Sequence, residues 1–192
     1  MTRRWVPVLL VAVTLAAATV SLKAAPGQFW TLDCSVDRPW LLLVHDPLGT
    51  TRYVWVVTFR VKNPTDEPVF YFPHFTITTE AGNVLRNVLD FAAEREAATR
   101  LGREVPNVVD LIGELKPGES KEGLAAFPLP DRESDHFALY VGGLSNEYKL
   151  VEREGRSAVV RKMLLCEYYR AGDAYDVHLD RIQSVEQRWV WR

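Results

Sequence analysis

The chain has 192 residues, with 23 Lys and Arg against 25 Asp and Glu, a formal net charge of −2 and 47% hydrophobic residues. This is the balance of one globular domain with a sizeable core, and its mixed, slightly acidic charge argues against a broad nucleic-acid surface. Its two cysteines, Cys34 and Cys166, are too far apart in sequence for a CxxC redox motif.

The N-terminus carries the strongest signal. Arg3 and Arg4 form a basic head, and no further charge occurs until Lys23. Residues 5–15 are apolar, and Ala16-Ala17-Ala18 leads on to Leu22. A basic head, an apolar core of about ten residues and an Ala-x-Ala step mark a secretory signal. Two readings of residues 1–24 stay open. Cleavage after Ala18 would leave a mature chain starting near Thr19, with formal charge near −4 because Arg3 and Arg4 are lost. Counted through Leu22, residues 5–22 instead approach the roughly 17 residues of a short membrane span and would act as a tether. Both readings put residues 25–192 outside the cytoplasm, since the basic end stays inside. No cysteine follows the apolar core, which argues against a lipoprotein anchor.

Residues 29–37 alternate strictly. Trp30, Leu32, Cys34 and Val36 are apolar and the residues from Thr31 to Asp37 between them polar, which predicts a strand with one wet face and Cys34 inward. Residues 40–44 suggest a second strand, and the β-branched and aromatic run 52–61 suits a central one. Asn63, Pro64, Asp66 and Pro68 then make a turn. Pro73 splits the strand candidates 69–72 and 75–78. Residues 87–101 are rich in Ala, Glu and Arg, with Gly102 and Pro106 beyond, which predicts a helix. Its apolar residues Val88, Leu89, Phe91 and Ala92 crowd the first half, so that half is expected to pack and the second, with Glu96 and Arg100 one turn apart, to be solvated. Further strand candidates are 124–127, 137–141, 148–151, 158–169, 173–182 and 187–191.

Many short strands with frequent turns indicate a β-sandwich. The run Val61-Lys62-Asn63-Pro64-Thr65-Asp66-Glu67-Pro68-Val69, with Leu115-Lys116-Pro117-Gly118-Glu119-Ser120 later, resembles extracytoplasmic immunoglobulin-like modules over about half the chain. The resemblance implies a fold and no substrate. The expected architecture is all-β: a single immunoglobulin-like sandwich of about nine strands over residues 25–192. One helical insertion lies around 87–103, and a signal or anchor helix precedes the domain.

Cys34 and Cys166 form an even pair in an exported chain, the usual setting of a disulfide. Closing so long a loop would stabilise the fold by about 4–5 kcal/mol in the chain-entropy account. The alternative is two separate buried thiols acting as small hydrophobes.

Asp176, His178 and Asp180 would share one face of a strand, a set able to hold a divalent metal. The same alternation also predicts an ordinary wet face, and no HxH or HExxH motif accompanies it. His45 with Asp46, His74, and Asp135 with His136 fall in or beside predicted turns. Gly143-Leu144-Ser145-Asn146 lacks the second glycine of a serine-nucleophile elbow, and no phosphate loop is present. No catalytic, cofactor or metal residue is therefore expected. Arg188-Trp189-Val190-Trp191-Arg192 puts two tryptophans on one strand face with arginines beside them, suited either to completing a core or to stacking on a peptide, a glycan or lipid headgroups. Phe70-Tyr71-Phe72 and Tyr168-Tyr169 each require both faces covered or one ring exposed.

The sequence thus points to an exported, non-enzymatic binding or structural module of the cell envelope, whose partner is an unidentified protein or envelope component. Two alternatives remain: a periplasmic metal-binding protein or hydrolase using Asp176, His178 and Asp180, and a subunit of an envelope complex tethered through residues 5–22.

Overall fold

The computed structural model describes residues 28–45, 49–128, 134–153, 155–171 and 182–192. The signal or anchor at 1–24 and the Asp176, His178, Asp180 set lie outside them. The described chain is mostly β, with one helix and three antiparallel sheets. Its strands are β1 (Asp33–Val36), β2 (Trp40–His45), β3 (Thr51–Lys62), β4 (Val69–Tyr71), β5 (His74–Thr79), β6 (Val84–Arg86), β7 (Gly113–Leu115), β8 (Ser120–Pro128), β9 (His136–Gly142), β10 (Tyr148–Arg153), β11 (Arg156–Arg170) and β12 (Ile182–Trp191). The helix, α1, is Phe91–Leu101.

The count is twelve strands where about nine are expected. The extra ones include the three-residue strands β6 and β7, too short to show a period in the sequence. Pro73 separates β4 from β5, and the two enter different sheets.

Two long strands organise the molecule. β3 carries β2 along residues 51–56 and β1 along 59–62 on one edge, with β8 on the other. β11 likewise carries β10 and then β9 on one edge and β12 on the other, and β9 continues to β5 and β6. The two sheets share one core. Trp55, Val57, Phe59 and Val61 of β3 meet Phe75 and Ile77 of β5, Phe137, Leu139 and Val141 of β9, and Leu164, Cys166 and Tyr168 of β11. Ring pairs cross between the sheets, with centroids 4.5 Å apart for both Trp55–Phe137 and Phe59–Phe75. Such contacts add about 0.5–1.5 kcal/mol each beyond area burial.

The other face of β3 is also apolar. Val54, Val56, Leu124 and Ala126 pack with Trp40, Leu42 and Val44 against Ala93 and Ala97 of α1. The helix therefore covers a sheet face, and it packs through its small residues. Its first half packs as expected, but through Ala92 and Ala93 and not through its large side chains: Phe91 is 74% exposed, and Val88 and Leu89 are exposed too. Only alanine lets a helix backbone approach a sheet already filled with β-branched side chains. The second half is not wholly solvated, because Arg100 lies 4.6 Å over the Trp40 ring and Leu101 packs on the cluster.

Asp90 caps α1, its side chain accepting from the Ala93 amide at 3.0 Å and gripping Arg52 through bonds of 2.5 and 2.8 Å. Gly102 closes the helix in the left-handed conformation. Burial alone would raise the Asp90 pKa, but the Arg52 hydrogen bonds and charge and the helix amides outweigh it and hold it below the ordinary carboxylate value.

The two turns that carry the immunoglobulin-like resemblance are tied together by Asn63, which is fully buried. Its Nδ2 donates to the Glu67 and Leu115 carbonyls at 2.8 and 2.9 Å, and its Oδ1 accepts from the Thr65 amide at 3.0 Å. Its backbone carbonyl accepts from the Gly118 amide at 2.9 Å. Gly143 has a φ of 75°, and a Cβ there would sit 1.8 Å from the Phe72 carbonyl oxygen, so only glycine lets the 142–143 turn cross the Phe72–Pro73 backbone.

Asn63→Ala strands the buried Leu115 carbonyl and takes the acceptor from the Thr65 amide, and it should cost about 1–3 kcal/mol in urea unfolding. Asp90→Asn should cost about 1–3 kcal/mol at pH 7. The lowered pKa places Asp90's stabilisation above the unfolded carboxylate value and removes it as pH falls below that value. The wild-type and Asp90→Asn unfolding midpoints should therefore converge as pH falls below the ordinary carboxylate value.

Candidate binding groove between strands β1 and β12

β12 is the outermost strand beyond β11, and almost all of it is exposed. Register places Trp191 opposite Lys162, Trp189 opposite Leu164 and Gln187 opposite Cys166. The tryptophans therefore share the face of the sheet that carries the core residues Leu164 and Cys166. At the sheet margin they are only partly covered, with 36% of Trp189 and 37% of Trp191 exposed. A register shift opposite Glu167 and Tyr168 leaves Val185 unpaired on the ladder, a bulge that ends this regular stretch.

Opposite β12 runs the beginning of β1. Between them lies a groove of 460 Å³, walled by Thr31, Leu32 and Cys34 on one side and by Leu164, Gln187 and Trp189 on the other. Gln187 Nε2 spans it, donating to the Cys34 carbonyl at 3.2 Å.

A polar knot closes one end. Lys162 Nζ meets Glu147 Oε1 at 2.5 Å and Thr31 Oγ1 at 3.1 Å. Thr31 Oγ1 donates to Glu147 at 2.7 Å and lies 3.0 Å from Ser145 Oγ. The Lys162 and Thr31 hydrogen bonds lower the Glu147 pKa and favour its carboxylate form. The same lysine stands 5.4 Å from the Trp189 ring centre, and Lys149 lies 3.9 Å over Trp191. Two half-exposed indoles, each faced by an ammonium group, make a surface that stacks on planar or sugar-ring ligands and keeps hydrogen-bond donors beside them.

Cys34 and Cys166 belong to the same core and are both unbonded thiols. Burial pushes Cys34 up to about 12, with the nearby Cys166 adding to the shift, and pushes Cys166 up to about 11. Gln187 links the two positions, being the ladder partner of Cys166 and a donor to Cys34. The sequence pattern placed Cys34 inward, and the fold brings it and the buried Cys166 into one core.

The remaining candidates disperse. His45 ends β2 and lies 3.2 Å from Thr51 Oγ1; His74 opens β5; His136 opens β9 and packs on Tyr169, ring centres 4.8 Å apart. Among the described residues no group of three His, Cys, Asp or Glu could hold a metal ion. Ser145 is a structural hydroxyl that donates to the Trp30 carbonyl at 2.8 Å, and Asn146 Oδ1 accepts from the Trp30 amide at 2.8 Å. Tyr71 and Tyr168 are buried, whereas Phe70 and Phe72 are exposed. Sequence reading missed Thr31, Glu147, Lys149 and Lys162. The available signal was Lys162 standing in phase with Leu164 and Cys166 on a strand face that is otherwise apolar.

No protein family matches the sequence, and no curated protein does. A solved structure, that of a conserved hypothetical protein from Bacillus anthracis, is similar with 22% identity and a TM-score of 0.41, over 60% of this chain and 82% of that one.

Thiols held at about 11 and 12 are protonated at neutral pH. In the reduced protein, iodoacetamide labelling at pH 8 should be roughly a hundredfold or more slower than in urea, since only the thiolate reacts. Because both folded values lie above the unfolded one, their stabilisation is complete below about pH 9 and is lost as pH rises from there. Thermal unfolding of the reduced protein should weaken over that range, and Cys34→Ser with Cys166→Ala should flatten the slope.

Proposed function

We propose that this protein is an exported, non-enzymatic binding module of the cell envelope that receives its ligand in the β1–β12 groove. The carrying observation is the pair of half-exposed tryptophans, each faced by a lysine, on the core-side face of an outermost strand. An immunoglobulin-like sandwich is the finer architecture we infer, supported by two sheets that share one core and by the Asn63 tie between the two diagnostic turns. Export is supported by the basic head and apolar run of residues 1–24.

The chemistry of the groove suits a glycan or an extended peptide. Indole faces stack on sugar rings or flat side chains, while Lys149, Lys162 and Gln187 supply donors. No residue beside the groove has the nucleophile–base pairing of a hydrolase, since Thr31 and Ser145 are engaged by neighbours and Lys162 is neutralised by Glu147.

In an oxidising compartment we expect Cys34 and Cys166 to close a bridge across the wall of this groove. The exported protein should then be two hydrogens lighter than the reduced chain by intact mass, with no free thiol after denaturation. Full labelling of both cysteines would end that expectation.

Muropeptide fragments, cell-wall polysaccharides and an extended-peptide library, titrated while tryptophan fluorescence is followed, test the binding site. At least one class should bind, and Trp189→Ala with Trp191→Ala should weaken it at least tenfold while leaving the unfolding midpoint nearly unchanged. A stoichiometric metal lost in His178→Ala would replace this reading with the metal-binding alternative.

A further inference from the structure

The N-terminal half of β11 outruns the core. Residues 156–160 pair with β10 alone, forming an arm beyond the shared core. Leu150 sits opposite Val159 and Tyr148 opposite Arg161, so all four share one face. That face is apolar and open to solvent: Leu150 is 72% exposed, and Val159 and Tyr148 are exposed as well. Two-stranded hairpins are marginal in water by themselves, and this one exposes the residues that would stabilise it.

The entry of the chain lies at the base of the arm. Phe29, itself exposed, packs edge-on against Tyr148 with ring centres 6.3 Å apart. Asn146, two residues before Tyr148, holds the Gln28 carbonyl at 3.0 Å and the Trp30 amide at 2.8 Å. Residues 23–27 are all that separates Gln28 from the apolar run ending at Leu22. Fully extended they reach about 17 Å, less than the roughly 20 Å length of a six-residue strand. With residues 5–22 in a bilayer, the arm's base is therefore held within one arm length of the lipid.

Charge agrees. The chain as a whole carries −2, yet the arm presents Arg156 and Arg161 against Glu152, while Lys149 is stacked on Trp191 and Lys162 and Glu147 pair at its base. Basic residues alternating with Tyr, Leu and Val match the phosphate and upper acyl layers of an anionic membrane.

We infer that the β10–β11 arm lies on an anionic lipid surface, with Tyr148, Leu150 and Val159 in the interface and Arg156 and Arg161 on the phosphates. The reach to the lipid rests on the reading that residues 5–22 remain attached as a tether; the exposed apolar residues and basic groups of the arm argue for the lipid surface without it. It assigns the arm to the membrane and leaves the β1–β12 groove for the ligand.

Hydrogen–deuterium exchange of the full chain tests it, in detergent, in phosphatidylcholine vesicles and in vesicles containing phosphatidylglycerol. Amides of residues 148–161 should exchange at least tenfold more slowly on the phosphatidylglycerol vesicles, and 0.5 M salt should reverse much of this. Leu150→Asp with Val159→Asp should abolish the slowing while residues 55–61 stay protected, which shows the fold intact. Equal exchange of the arm in all three settings overturns the inference. So does protection that needs no vesicles and grows with protein concentration, which would mean that a second copy covers the arm. Intact mass of the exported protein separates this from the tether. A processed chain whose arm is still protected on added vesicles upholds the lipid surface and ends the tether reading; a retained leader with an unprotected arm does the reverse.

Discussion

β11 is fifteen residues long, and only its second half has a core to cover. From Leu164 onward it faces β3 and is flanked by β9 and β12, so its alternate residues Leu164, Cys166 and Tyr168 are buried. Before that, it has β10 for a ladder partner and no apolar layer opposite. A strand that outgrows the sheet facing it must either stop, bend or present itself to something else. Here the ladder continues without a break from core to arm. The groove and the arm are thus two consequences of one strand: β12 hangs on its buried half, and β10 on its exposed half.

The interior explains why this overhang is tolerated. Aromatic contacts between β3 and the opposite sheet fix the spacing of the layers, and α1 closes the outer face of β3 with alanines. Among the described residues few polar groups lie inside the fold, and Asn63 is the best answered, its one amide side chain bonding two carbonyls and an amide of two turns, whereas Trp55 Nε1 and the Tyr71 hydroxyl have no partner. The low-polarity surroundings that make those bonds strong also keep the two thiols protonated. In consequence, the cysteines contribute as apolar packing when reduced and are poor nucleophiles, which sets them apart from redox-active thiols placed in electropositive, exposed settings.

Alternation made much of the β structure legible in advance. The run from Trp30 to Val36 declared its buried and wet faces, the β-branched run became β3, and Pro73 marked the passage between sheets. What was not legible depended on partners far away in sequence. Helix α1 has its large apolar residues at its start, and a periodicity argument packs them, but the sheet beneath leaves room only for Ala93 and Ala97. Lys162 reads as a solvated charge in an alternating strand, yet it is Glu147, fifteen positions earlier, together with Thr31, that turns it into the end of a groove. Trp189 and Trp191 looked like residues completing a core, and they do lie on the core-side face. Their partial exposure comes from the marginal place of β12, which no local pattern encodes.

The chain entry, the polar knot and the base of the arm are mechanically one unit. Thr31 belongs to the entering segment, Ser145 and Glu147 to the connection between β9 and β10, and Lys162 to β11; their hydrogen bonds run through a single network. Asn146 adds both its amide ends to Gln28 and Trp30. A load applied to the chain at Gln28 is therefore borne by several parallel bonds between different strands, rather than by one strand peeling from an edge. That geometry keeps the arm at a fixed angle to the entering chain and keeps the Trp189 face turned toward β1. A polypeptide that needed only to fold would gain little from so many ties at residues 28–31. One that must hold a binding groove in a set orientation relative to whatever precedes Gln28 gains the orientation itself.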